Sequence, residues 1–161
     1  MSKKKKQKKT LVAQILDRAK IPYEAISFNA LEGEKRDDIP PQQIFKTLAL
    51  KGDKTGPLVG MVPLTEKLSE KKLAKISGNK KVHMIPQKDL ETTTGYIHGA
   101  NNPVGIRQRH KFPIYLDLSA HNWDNIICSA GEVGQSIRIN PIDLADFVQA
   151  EFADLIERGL S

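Results

Sequence analysis

Every apolar run in this chain is short, and a glycine, a proline or a charge ends each one within a few residues. The segments YEAISF (23–28), TLALKG (47–52), LVGMVP (58–63), KVHMIP (81–86), FPIYLDL (112–118), NIICSAG (125–131) and QSIRI (135–139) read as strands, the last three in succession. Helical spacing appears over 11–20, with Thr10 as N-cap and Leu11, Ile15, Leu16 and Ala19 in phase. It appears again over 68–78, where Ser69 is the cap, Leu73 and Ile76 share a face, and Gly78 follows the end. A last helix is predicted from Asn140 as N-cap and Pro141 as N1. Its apolar face is Leu144, Phe147, Val148, Phe152, Leu155 and Ile156, and Gly159 marks its end. QQIFK predicts a short helix turning into a strand, and QKDLETTTG a helical turn. NALEGEKRDDIPP (29–41) is a polar loop, DKTGP a turn, and YIHGANNPVGI (96–106) a loop or broken strand. Short strands with scattered helices, and no strict βαβ alternation, predict a single α+β domain with a mixed or curled sheet.

The chain has 161 residues, 39% of them hydrophobic and 27% charged, enough for one ordinary core. No stretch has the roughly 18–20 apolar residues of a membrane span. Nor does an apolar segment follow the basic N-terminus as in a secretory signal. The single cysteine, Cys128, excludes an internal disulfide and a cysteine-built zinc site, which fits a reducing cytoplasm. The formal charge of +6 is unevenly placed. KKKKQKK (3–9) holds six lysines and reads as a disordered basic arm over residues 1–9. Of the rest, residues 46–111 carry 13 basic and 5 acidic side chains, and residues 112–161 carry 2 and 8. A basic arm and a basic central third suit contact with a polyanion such as nucleic acid; a solubilising tail and a dispersed charge would look the same.

Within IFKTLAL, Lys46 interrupts an otherwise apolar run. A buried ammonium loses several kcal/mol of hydration unless something pairs with it. Either the stem packs and the head reaches water, or the charge is kept for a ligand. Other chemistry is sparse: no phosphate-binding glycine motif, no nucleophile elbow, and four histidines without metal-ligand spacing. Cys128 sits in an apolar strand and reads as a small core residue rather than a nucleophile. Two glycine-rich segments remain, GYIHGANNPVG and SAGEVG. Glycines beside strand ends allow backbone to approach a ligand, although plain turns use them too.

FKTL (45–48), TGYIHGANNPVGI (94–106) and SAGEVGQSIRI (129–139), in that order and spacing, resemble the YbaK/EbsC aminoacyl-tRNA deacylases. FKTLALKGDKTGP and KKLAKISGNKKV are similar to the same family, so the resemblance spans roughly residues 11–158. Beside the arm over 1–9, it implies an editing domain over 10–161, built as one α+β unit. The sheet would be curled and mixed, partly antiparallel or barrel-like, and flanked by helices. It implies hydrolysis of the ester between a wrong amino acid and tRNA, in the cytoplasm, with no metal, cofactor or membrane. Cys-tRNA(Pro) or Cys-tRNA(Cys) is the implied substrate, and prolyl-tRNA synthetase a possible partner. By resemblance Lys46 is the catalytic lysine. Phe28, Thr47, Gly99, Pro103, Ser129 and Gly131 are the implied substrate-binding residues, and Ser136 stands where some relatives have aspartate. With no protein nucleophile evident, the substrate's own thiol would attack the carbonyl, or a lysine-positioned water would. Two alternatives stay open: hydrolysis of Ala-tRNA(Pro) or another small aminoacyl-tRNA, and a non-catalytic module that binds RNA or a synthetase.

Overall fold

The computed structural model describes residues 9–28 and 36–158. The arm up to residue 8, most of the polar loop and the helix end expected at Gly159 lie outside the described residues. Four helices begin where a side-chain oxygen can satisfy a free N–H of the first turn. Thr10 accepts from Ala13 N–H ahead of α1 (Leu11–Arg18), and Ser69 accepts from Lys72 N–H ahead of α2 (Glu70–Ser77). Gly78 closes α2 in the left-handed conformation, at φ +79°. The helical turn at 87–95 is a full helix, α3 (Gln87–Thr94).

Two expectations need correction. The segment predicted as a loop or broken strand ends in a helix, α4 (Pro103–Arg109), capped by Asn102, whose Oδ1 accepts from Gly105 N–H at 2.6 Å. The last helix begins as predicted, with Asn140 Oδ1 accepting from Ile142 and Asp143 N–H, but α5 (Pro141–Val148) stops eight residues after it starts. Gln149 turns the chain at φ +58°, and Ala150–Ala153 is a strand, β8. Phe152, Leu155 and Ile156 therefore do not belong to the helix face: Phe152 lies in the half-buried strand, and Leu155 and Ile156 are buried beyond its end.

The remaining strands are β1 (Tyr23–Ser27), β2 (Phe45–Gly52), β3 (Gly56–Pro63), β4 (Val82–Met84), β5 (Ile114–Asp117), β6 (Ile126–Glu132) and β7 (Gln135–Ile139). They form two sheets. One is antiparallel in the order β1-β7-β6; the other is mixed, in the order β4-β2-β3-β5-β8, with β3, β5 and β8 parallel. Among the described residues a single parallel bridge, Ile44 to Ile127, joins them where β2 begins, and neither sheet closes into a barrel.

Period-two alternation packs the larger sheet on both faces. Phe45, Val59, Met61 and Leu116 face the main core with α1, α4, α5 and the smaller sheet. Leu50, Leu58 and Val62 face Leu73 and Ala74 of α2 and the C-terminal segment. Buried Asp117 ties that segment down, its carboxylate accepting from Leu155 N–H at 2.8 Å and Ser119 N–H at 2.9 Å. Among the described residues no helix is long and apolar enough to cross a membrane.

Candidate active site

Strand β2 pairs with β3 along its whole length but with β4 only over Leu50–Gly52. From Phe45 to Leu48 the opposite edge is left open, and a cavity of about 300 Å³ fills the gap between it and the β6–β7 pair. Ile85 N–H donates to Ala49 C=O at 3.2 Å, so Ala49 turns its peptide groups to this edge. Two-residue alternation turns those of Thr47 the same way. The cavity wraps around the strand edge and is lined by both rows of side chains, Lys46 and Leu48 on one face, Thr47 and Ala49 on the other.

Lys46 is half-buried, and among the described residues no carboxylate comes within ion-pair distance of its ammonium. Loss of hydration pushes its pKa below the ordinary value of 10.5; the Glu66 carboxylate pulls weakly the other way. Thr47 is 9% exposed, and its hydroxyl has no hydrogen-bond partner among the described residues. A polar atom in that position costs free energy unless a ligand completes it.

The facing wall is the loop 95–102. Thr94 Oγ1 donates to Asn101 Oδ1 at 2.8 Å and accepts from Tyr96 N–H at 3.1 Å, which fastens the two ends of the loop together. Gly99, at φ +88°, forms the part of the loop that meets the cavity, with His98 and Asn101. Only glycine adopts that conformation at low cost. The Ser129 hydroxyl approaches Gly99 C=O at 3.5 Å and accepts from Gly131 N–H at 3.1 Å. Phe28, at the end of β1, closes the cavity with Ser129, Gln135 and Ser136.

Lys46, Phe28, Thr47, Gly99 and Ser129 thus meet at one cavity. Pro103 and Gly131 lie behind it. Pro103 opens α4 and is buried; a Cβ on Gly131 would press on Val12, Asn102 and Tyr96 at 3.2–3.4 Å. The second glycine loop therefore reaches the cavity through Ser129 and Gly134, not through Gly131. His98, Asn101 and Gln135 are wall residues that sequence reasoning overlooks; their only signal is that His98 and Asn101 fall inside the first glycine-rich segment and Gln135 directly follows the second. Cys128 also borders the cavity but is 1% exposed, and burial pushes its thiol up to about 12, which keeps it protonated and poorly nucleophilic. Among the described residues no three His, Cys, Asp or Glu side chains gather as a metal site.

Known proteins share this fold and much of this sequence. The family model of the aminoacyl-tRNA editing domain matches residues 15–147. A protein of Enterococcus faecalis named "Putative Cys-tRNA(Pro)/Cys-tRNA(Cys) deacylase EbsC" is 41% identical over 162 residues, covering 96% of this chain and 98% of its own. A solved structure described as "a putative trans-editing enzyme for prolyl tRNA synthetase" superposes with a TM-score of 0.72 at 22% identity, over 84% of this chain and 87% of the other. A scaffold used for epitope grafting superposes with a TM-score of 0.78 at 24% identity, over 91% and 95%. At those identities the two structures speak for the fold alone.

Proposed function

Because this chain belongs to the family of aminoacyl-tRNA editing domains, we propose that it is a hydrolase that removes a wrong amino acid from tRNA, acting in trans in the cytoplasm. The substrate we assign is Cys-tRNA(Pro), with Cys-tRNA(Cys) second, in keeping with the name of the Enterococcus relative. A synthetase site sized for proline cannot strongly reject a smaller amino acid, because a missing methylene is worth only about 1–3 kcal/mol. A second site then has to clear the error.

One observation carries the reading: among the described residues, a half-buried ammonium without an ion-pair partner stands on the cavity wall beside a hydroxyl without a hydrogen-bond partner. Both are groups that a bound ligand would complete. Lys46 would hold the terminal phosphate or the ester of the aminoacylated adenosine, and Thr47 and Ser129 would border the amino acid side chain. The cavity's mostly apolar wall would exclude water and strengthen these contacts. The substrate thiol would attack its own carbonyl carbon. As the new C–S bond forms, the ester C–O bond breaks, the ribose oxygen takes up the thiol proton, and a thiolactone leaves. The buried, protonated Cys128 fits a mechanism that needs no protein thiolate.

The test is deacylation of Cys- and Ala-charged tRNA(Pro) and Cys-charged tRNA(Cys) by wild type and Lys46→Ala. Cysteine release that depends on Lys46 is the expected result. Equal hydrolysis of the alanyl ester would remove substrate-thiol attack, and a silent wild type would remove the catalytic reading.

A further inference from the structure

Beyond the cavity, three of the described lysines pair with a carboxylate and the rest make no ion pair with a described residue. Lys9, Lys67 and Lys72 each pair with a carboxylate. Four others, Lys51, Lys54, Lys80 and Lys81, gather around the β2–β3 turn and the entry to β4, and none of them makes an ion pair with a described residue. Lys51 sits opposite His83 across the β2–β4 pair, and both are exposed. The gathering is built by the backbone. Asp53 Oδ1 accepts from Lys80 N–H at 2.8 Å and Lys81 N–H at 3.0 Å, and Asp53 N–H donates to Lys81 C=O at 3.1 Å. Asn79 Oδ1 accepts from Lys54 N–H at 2.8 Å. The one carboxylate in the turn accepts from peptide groups and its charge also acts on Lys54, so four ammoniums face a single negative charge.

This patch continues into the cavity. Strand β4 is the outer edge of the larger sheet, and Met84 and Ile85, which follow His83, line the cavity wall. From Met84 back to Lys80 the chain rises by about 13 Å. Charges there act on groups within a Debye length of about 8 Å at physiological salt, so they would act on a polyanion entering the cavity rather than on the reacting ester.

We propose that the β2–β3 turn and the exposed edge of β4 form a track for the RNA sugar–phosphate backbone immediately before the aminoacylated end. The proposal rests on the deacylase reading for the direction of the RNA, whose 3′ end would lie in the cavity. It assigns Lys51, Lys54, Lys80 and Lys81 to phosphates and no base-specific contact to any of them, so binding along the track is insensitive to sequence.

The test compares Lys51→Ala/Lys81→Ala with Arg18→Ala/Lys111→Ala, which removes the same charge from exposed positions elsewhere. An uncharged acceptor-stem hairpin with a single-stranded 3′ end is titrated against each full chain by fluorescence anisotropy over a salt series. The track variant should bind about tenfold more weakly at physiological salt, and its slope of log K against log salt should flatten by about 1.4–1.8, the share of two phosphates. On aminoacyl-tRNA its KM should rise with kcat unchanged, and hydrolysis of aminoacyl-adenosine, which lacks phosphates, should not change. Unchanged RNA affinity and slope in the track variant, or an equal loss in the control, overturns the proposal. Unchanged RNA affinity with lost binding to poly-glutamate overturns it in favour of an acidic protein partner. A wild type that binds RNA through Lys51 and Lys81 yet hydrolyses no ester keeps the track and removes the deacylase reading; active wild type with an unchanged track-variant KM does the reverse.

Discussion

Lys46 is held at a cost, and that cost can be measured. The ammonium is half-buried and has no ion-pair partner, so Lys46→Ala should fold and lose a transition-state interaction of about 2–4 kcal/mol, roughly 30- to 1000-fold in kcat/KM. An alanine variant with wild-type kcat/KM would mean that the lysine merely reaches for water. Lys46→Met keeps the packing stem and should have a Tm at or above wild type at neutral pH. The sign follows from burial: the folded pKa lies below the ordinary 10.5, so the unfolded chain binds the proton more readily. Stability of the wild type therefore rises as pH climbs through the folded pKa, and the advantage of Lys46→Met should shrink toward pH 10.5. Thermal melts at pH 7, 9 and 10.5 check it. Cys128 makes the converse case. As a buried thiol pushed up to about 12, it should resist alkylation in the native protein at pH 8. Cys128→Ser should cost about 1–3 kcal/mol of stability and leave kcat unchanged. A folded but inactive serine variant would point to a thiol nucleophile.

Among the elements, α4 carries the clearest lesson about glycine. A helix interior ordinarily gains up to about 1 kcal/mol from Gly→Ala. At Gly105 the added Cβ would collide with the Tyr96 hydroxyl, so Gly105→Ala should instead lose about 1–3 kcal/mol. Tyr96→Leu should recover part of that loss in a double-mutant cycle; additive effects would show that the two residues are independent. The same packing explains why α4 is hidden in the sequence. Asn102-Pro103 is a start signal of the kind given by Asn140-Pro141, but the nearby glycines at 95, 99 and 105 read as breakers. Gly105 is small to admit an aromatic ring, not to break the helix. Caps at Thr10, Ser69 and Asn140 are legible because capping is settled within three residues. Strand β8 is not legible, because its parallel partner β5 lies more than thirty residues away and its apolar spacing continues that of α5. Lys46 stands out in the sequence as a charge in an apolar run, and Gly99 and Ser129 as members of glycine-rich segments, whereas Thr47 is reached only through the family resemblance; His98 and Gln135 become wall residues only when β2 and β6 part.

At the scale of the whole molecule, charge is divided along the chain. Residues 46–111 hold a net +8 and residues 112–161 a net −6, while six lysines lie within residues 3–9. The sequence-based arm over residues 1–9 is proposed to strengthen RNA binding without entering the chemistry. Deleting residues 1–8, which spares Lys9 and its ion pair with Asp17, should raise KM for full-length aminoacyl-tRNA and leave single-turnover kcat nearly unchanged. It should also flatten the salt dependence by about 0.7–0.9 for each phosphate that the arm neutralises. An aminoacylated acceptor stem should be affected less. Equal KM and equal salt slope with and without the arm would leave it no role in RNA binding.

The pairing of β1 with β7 brings together segments more than one hundred residues apart, and Phe28 is carried to the cavity at the end of that strand. A ribosome making this chain has therefore synthesised both rows of β2 long before the strand that completes the opposite wall exists. Local pieces such as the β2–β3 hairpin can form early, but the cavity waits for pairings of long sequence separation, which close slowly, on the millisecond-to-second scale. The cavity is thus a late product of folding. No fragment that stops short of β7 contains it, and its formation during refolding should coincide with the final burial of Cys128 rather than precede it.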